Sequence, residues 1–202
     1  MRSAVATAIL LPALTLAACS TSVIEESDRA VPQAANAYSG RLLTVDKEQS
    51  YVSFLGKSSI VDHEGAFDEY TFELTTDTTS PADLEKATIV ATIDIDSART
   101  DADGLTGHLK KADFFDVENY PTATFTSTKI VSKGGNQYEV TGDLTVKGQT
   151  KTVVMQAEIT DDYLRGTFEM PRKEFGVGND SYGDKLLNDT VPVEVKLVFE
   201  RA

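Results

Sequence analysis

From Leu42 onward, apolar and polar residues alternate along much of the chain. In QYEVTGDLTVK, Tyr138, Val140, Gly142, Leu144 and Val146 share one face, while Glu139, Thr141, Asp143, Thr145 and Lys147 share the other. A period of two is that of a half-buried strand. It recurs at Val153, Met155, Ala157 and Ile159, and at Leu164, Gly166, Phe168 and Met170. Ile89, Ala91, Ile93 and Ile95 repeat it, as do Val191, Val193, Val195, Leu197 and Phe199. Tyr70, Phe72 and Leu74 form a shorter run, and YVSFLG around Phe54 fits either face. The connectors KGGN (Lys133 to Asn136), KGQT (Lys147 to Thr150) and TDD (Thr160 to Asp162) are short enough to make consecutive strands antiparallel. The pattern predicts an all-β chain of about eight one-faced strands, whose apolar faces meet in a closed barrel or a two-sheet sandwich.

One stretch breaks the alternation. In HLKKADFFDVENYPTATF, His108 to Phe125, a helix is expected from Gly104 to about Ala112, capped by Asp103, with Leu105, Leu109 and Ala112 on one side and Lys110 and Lys111 outward. Phe114 and Phe115 then have no destination except across a barrel end. Pro121 forces Tyr120 into extended backbone at the entry to the next strand. The stretch reads as a lid or cap on the barrel.

The chain has 202 residues and a formal net charge of -13. That length suits one domain, and the acidity argues against a nucleic-acid partner, which would need clustered Lys and Arg. At the N-terminus, Arg2 precedes the apolar run AVATAILLPALTLAAC, too short and Pro-broken to span a bilayer. Its end, Leu16, Ala17, Ala18 and Cys19, resembles the lipobox of bacterial lipoprotein signals. The resemblance implies removal of residues 1–18, acylation of Cys19 and a membrane anchor, and Ser20 points to the periplasmic face of the outer membrane. Cys19 is the only cysteine, so no intramolecular disulfide can form. Residues 19–41, small, polar and aperiodic, read as a flexible tether to a domain at 42–202.

Three motifs carry a family resemblance. His108, Leu109, Asp113, Phe114, Phe115, Asp116, Tyr120, Pro121, Phe125 and Ser127 form the first; Gly142, Leu144, Thr145, Gly148, Thr150 and Lys151 the second; Arg172, Phe175 and Gly176 the third. Together they resemble the YceI-like family of bacterial secreted proteins. The resemblance implies an antiparallel lipocalin-like barrel with one or two short helices, a long amphiphile such as a polyisoprenoid bound inside, no established catalysis and, by analogy, a homodimer. FLGKSSIVDHEGAF departs from the commonest family form by a Gly-Lys-Ser pattern ahead of His63 and Gly65.

A barrel of about eight strands either fills itself or holds one ligand. The inward small residues Ala91, Gly142, Ala157 and Gly166 favour a cavity, although alternating small and large side chains also suit a filled, tapering barrel. The expected ligand wall is Phe54, Phe72, Ile93, Ile95, Leu109, Phe114, Phe115, Phe125, Gly142, Leu144, Met155, Ala157, Phe168 and Phe175. His108 reads first as a hydrogen-bonding residue of the helix face; with Arg99 and Lys110 it is also the candidate contact for a ligand head group. The two histidines, His63 and His108, lack metal-ligand spacing, and GVGNDSYG, Gly176 to Gly183, lacks the Lys of a phosphate loop. No catalytic constellation, metal or cofactor is expected. Three functions are weighed: a lipid-anchored carrier or sequestering protein for a prenyl, quinone-like or fatty amphiphile; an enzyme on such a lipid; and a scaffold with a filled barrel.

Overall fold

The computed structural model describes residues 44–75, 81–179 and 186–200. Cys19, the signal at 1–18 and the tether at 19–41 lie outside the described residues. Ten strand segments form one antiparallel sheet: β1 Val45–Gly56, β2 His63–Phe67, β3 Tyr70–Thr75, β4 Thr88–Asp94, β5 Ala98–Thr100, β6 Thr122–Gly134, β7 Gln137–Val146, β8 Gln149–Ile159, β9 Tyr163–Pro171 and β10 Thr190–Phe199. Their order is β3-β4-β6-β7-β8-β9-β10-β1-β2-β5.

That order closes on itself. Only Asp68 and Glu69 separate β2 from β3, and one 3-10 turn, Ile95–Ser97, separates β4 from β5. β3 pairs with β4 and β2 pairs with β5, so the segments are halves of two bent strands lying side by side. β2 also pairs with β1, and β4 with β6. Counting each bent strand once, the ten segments make the expected barrel of eight strands, each bonded on both sides. Among the described residues, closure leaves only the short segments β3 and β5 with a sheet neighbour on one side alone, which limits the edge open to another chain. At the bend, the amide of Asp94 donates to the carbonyl of Glu69, and the Ser97 hydroxyl accepts from the Glu69 amide, so the extra residues of the 3-10 turn are accommodated without breaking the seam.

The short connectors behave as their composition dictates. Lys147 (φ 49) and Gly148 (φ 70) both occupy left-handed backbone in the two-residue turn between β7 and β8, which matches strand twist. Gly135 (φ 59) does the same in the turn between β6 and β7, after Gly134 (φ 98) at the end of β6.

The helix α1, Asp103–Leu109, is shorter than the sequence indicates. Asp103 is not its cap: Ala102 holds that position, and the hydroxyls of Thr100 and Thr106 pair with one another instead. After Leu109 the chain turns. The amide of Phe115 donates to the carbonyl of Leu109, which ends the helix before Ala112 and swings Phe114 and Phe115 inward, where both are buried. The aromatic pair therefore covers one barrel end, as the sequence suggests, while Ala112 contributes only its carbonyl, to the Lys147 ammonium.

Two apolar clusters fill the barrel's ends. Leu109, Phe114, Phe115, Leu144, Val146, Met170 and Phe175 gather at the α1 end. Leu74, Leu84, Ile130, Val140, Ile159 and Phe199 gather at the other, where a 3-10 helix at Pro81–Lys86 brings Leu84 onto the barrel. In the first motif, the buried Ser127 hydroxyl accepts from the Ile89 amide, satisfying a backbone donor beyond the last β4–β6 pair. In the third, Arg172 and Phe175 are buried in a 3-10 turn that ends on Gly176 at φ 71.

Candidate functional site

Between the two clusters lies a cavity of about 210 Å³. Strand alternation builds its wall. Val52, Phe54 and Gly56 face inward from β1, His63 and Phe67 from β2, Ala91 and Ile93 from β4, Phe125 from β6, and Val191, Val193, Val195 and Leu197 from β10. The Phe54 and Phe67 rings lie 5.4 Å apart, and Phe67 meets Phe115 edge-on at 6.2 Å. Phe72 stacks on Phe199 at 6.4 Å nearer the far end. Such a wall binds by removing apolar surface from water, at roughly 25 cal/mol per Å².

Of the expected wall, Phe54, Phe72, Ile93, Ile95, Leu109, Phe114, Phe115, Phe125, Leu144, Met155 and Phe168 line the cavity. Gly142, Ala157 and Phe175 do not. Gly142 is covered by the ring of Phe125, which leaves no room for a Cβ. Ala157 is enclosed in the far-end cluster. Phe175 is wholly buried in the cluster at the α1 end.

The expected head-group residues are also corrected. Arg99 lies on the outer surface, its Nε donating to Asp68 at 2.7 Å. Lys110 reaches Asp96, with 3.0 Å between Nζ and Oδ1. His108 places Nε2 3.1 Å from Asp113 and packs edge-on against the outside of Phe114, the helix-face role considered first for it. All three are held by partners on the outer side of the cap, and none lines the cavity.

The polar lining is concentrated elsewhere, at a rim formed by the ends of β1 and β2 and the segment before β10. There Lys57, His63, Arg172 and Asn188 border the cavity. Lys57 and Asn188 are exposed, so the cavity reaches the surface at this rim. The amide of Asn188 donates to the Lys57 carbonyl at 2.9 Å, and Ser58 bridges to Leu187. Arg172 fixes the segment from within: Nε donates to Asn188 O at 2.7 Å, Nη2 to Leu187 O at 3.2 Å, and Nη1 to Val177 O at 3.0 Å. His63 points Nδ1 at Asp101, 2.8 Å away. The hydrogen bond from His63 holds the Asp101 carboxyl below the usual carboxylate range. The alternation His63, Gly65, Phe67 in HEGAF was a signal for His63; nothing in the sequence marked Asn188.

Among the described residues, no three His, Cys, Asp or Glu side chains gather as a metal site, and no helix is long and apolar enough to cross a membrane.

The fold is shared with known proteins. BcnA of Burkholderia cenocepacia is 32% identical and superposes with a TM-score of 0.67 over 77% of this chain and 99% of its own. A polyisoprenoid binding domain from Saccharophagus degradans, 16% identical, has a TM-score of 0.57 over 80% of this chain and 100% of its own, a likeness of fold. In sequence, a UPF0312 protein of Vibrio cholerae is 36% identical over 68% of this chain and 76% of that protein. Protein YceI of Escherichia coli is 32% identical over 76% of this chain and 72% of that protein. Residues 43–199 match the YceI-like domain, which spans the whole barrel from β1 to the end of β10, and the chain belongs to the YceI-like family.

Proposed function

We propose that this protein is a lipid-anchored carrier or sequestering protein of the bacterial envelope, whose barrel takes a long-chain prenyl, quinone-like or fatty amphiphile. The observation that carries the reading is the cavity: aromatic and aliphatic along its length, polar at one rim, and surrounded by the strands of the barrel. A flexible apolar chain satisfies such a wall without directional contacts, so selectivity for chain type is expected to be broad. The shared fold with a domain described as polyisoprenoid binding supports the same reading. A scaffold with a filled barrel would have no use for this space.

Binding is favoured over catalysis. His63 is paired with Asp101 at the cavity rim, but among the described residues it hydrogen-bonds no Ser or Thr hydroxyl that it could activate. The anchor is Cys19, acylated after removal of residues 1–18, with the barrel on the periplasmic face of the outer membrane.

Both parts are tested on protein purified from a Gram-negative host. Organic extraction and mass spectrometry should release about one prenyl or acyl species per chain, and a Cys19→Ala variant should move from the membrane to the soluble fraction. No co-purifying lipid would contradict the carrier reading, and unchanged fractionation would contradict the anchor.

A further inference from the structure

The cavity has a chemical direction. Apart from Tyr70 and Thr71, its polar lining residues all lie at the rim of Lys57, His63, Arg172 and Asn188. Arg172 is directed to backbone carbonyls and positions the rim. The other three have groups to offer. Among the described residues, the Lys57 ammonium, the Asn188 carboxamide and His63 Nε2 are without hydrogen-bond partners.

His63 is oriented twice over. It continues the inward face of Gly65 and Phe67 along β2, and its backbone is held by the pairing Gly56↔His63. On the other side, Asp101 receives Nδ1–H and also accepts from the Glu64 amide at 3.4 Å, while its own amide donates to Glu64 O at 3.1 Å. A carboxylate on Nδ1 fixes the tautomer of the neutral ring, so that Nε2 carries the lone pair and accepts. Lys57 supplies only donors. A hydroxyl answers both, donating one hydrogen bond and accepting another through one oxygen. An anionic head would gain Lys57 but lie near the Asp101 carboxylate that holds His63 Nδ1.

Resting on the lipid-binding reading, we propose that His63, oriented by Asp101, and Lys57 form a head-group site for a hydroxyl-terminated amphiphile, a prenol or a hydroquinol, which lies tail inward. The hydroxyl donates to Nε2 and accepts from the ammonium, with Asn188 beside them at the rim.

The test uses the full chain in detergent and three probes sharing one C20 prenyl chain: geranylgeraniol, its methyl ether, and its monophosphate. The wild type is expected to bind the alcohol roughly five- to tenfold more tightly than the ether, the scale of one net hydrogen bond. His63→Ala should abolish that preference and leave ether affinity unchanged, which also reports an intact barrel; His63→Phe, retaining the ring's bulk, should behave alike. Asp101→Asn should weaken the preference by freeing the tautomer. Equal binding of alcohol and ether by the wild type would overturn the proposal, as would a preference surviving both His63 variants. Tighter binding of the monophosphate, lost in Lys57→Ala, would replace it with an anionic site. Binding of none of the probes would overturn the lipid-binding reading and this site with it.

Discussion

The ring of Phe54 lies directly over Gly65, its cross-strand partner in the β1–β2 ladder, and occupies the space a Cβ would need. The same arrangement recurs where Phe125 covers Gly142 and Met155 covers Gly166, in both cases from a diagonal position on the neighbouring strand. These glycines seat large neighbours against the barrel wall. The cavity lies inside the layer those neighbours form.

Gly65→Ala is therefore expected to push Phe54 into the cavity and to cost about 1–3 kcal/mol, the range for overpacking. Phe54→Leu should relieve much of that cost. A double-mutant cycle from urea unfolding checks it, and additive effects of the two changes would show that they are not in contact.

Gly142→Ala should be harder to rescue. A Cβ there would meet Phe125 and also the Thr126 carbonyl oxygen at 2.7 Å, a backbone atom that cannot step aside. Trimming Phe125 to Leu should restore only part of the lost stability, as read from thermal midpoints.

The architecture was legible because alternation reports which face of a strand is buried and short Gly turns report the pairing. Most of the expected wall residues followed from that, whereas Phe114 and Phe115 were placed by the stretch that breaks the alternation. Gly142 and Ala157 were misplaced for a physical reason: a period of two says that a residue points inward, not which neighbour leans across it. The head-group residues failed differently. Arg99, His108 and Lys110 cluster in sequence around α1, yet each is held outside the cap by a nearby acid or carbonyl. The polar rim is assembled from β1, β2 and the segment before β10, a juxtaposition that only barrel closure creates.

Arg172 should be intolerant of change. It is 2% exposed and donates to carbonyls of Val177, Gly178, Leu187 and Asn188. Arg172→Met leaves those acceptors buried without donors, at a cost on the order of 3–5 kcal/mol. Arg172→Lys should recover little, because one ammonium cannot reproduce the planar fork. Unfolding midpoints close to wild type in both variants would contradict this role.

On the outer surface, Glu194 accepts from Tyr51 Oη at 2.7 Å and from Arg165 Nε at 2.9 Å. The Tyr51 hydrogen bond, opposed by desolvation and assisted by Arg165, holds its carboxyl below the usual range. A depressed folded value stabilises the native state fully above the unfolded carboxylate value, near pH 4.3, and the benefit is lost as pH falls through the folded value. Glu194→Gln should thus lower the unfolding midpoint slightly at pH 7. The gap to wild type should narrow toward pH 3, and a gap that widens with acid would contradict the assignment.

The carrier function requires that a ligand occupy the barrel interior. Ala91 lines the cavity between its cross-strand partners Phe72 and Phe125, so Ala91→Phe fills space that the ligand needs. Titration of purified wild type and Ala91→Phe with geranylgeraniol, followed by calorimetry, tests the claim directly. The wild type should saturate at about one molecule per chain, while the variant should bind at least about tenfold more weakly with an unfolding midpoint no lower than wild type. Superimposable isotherms for the two proteins would place the lipid outside the barrel and contradict the account.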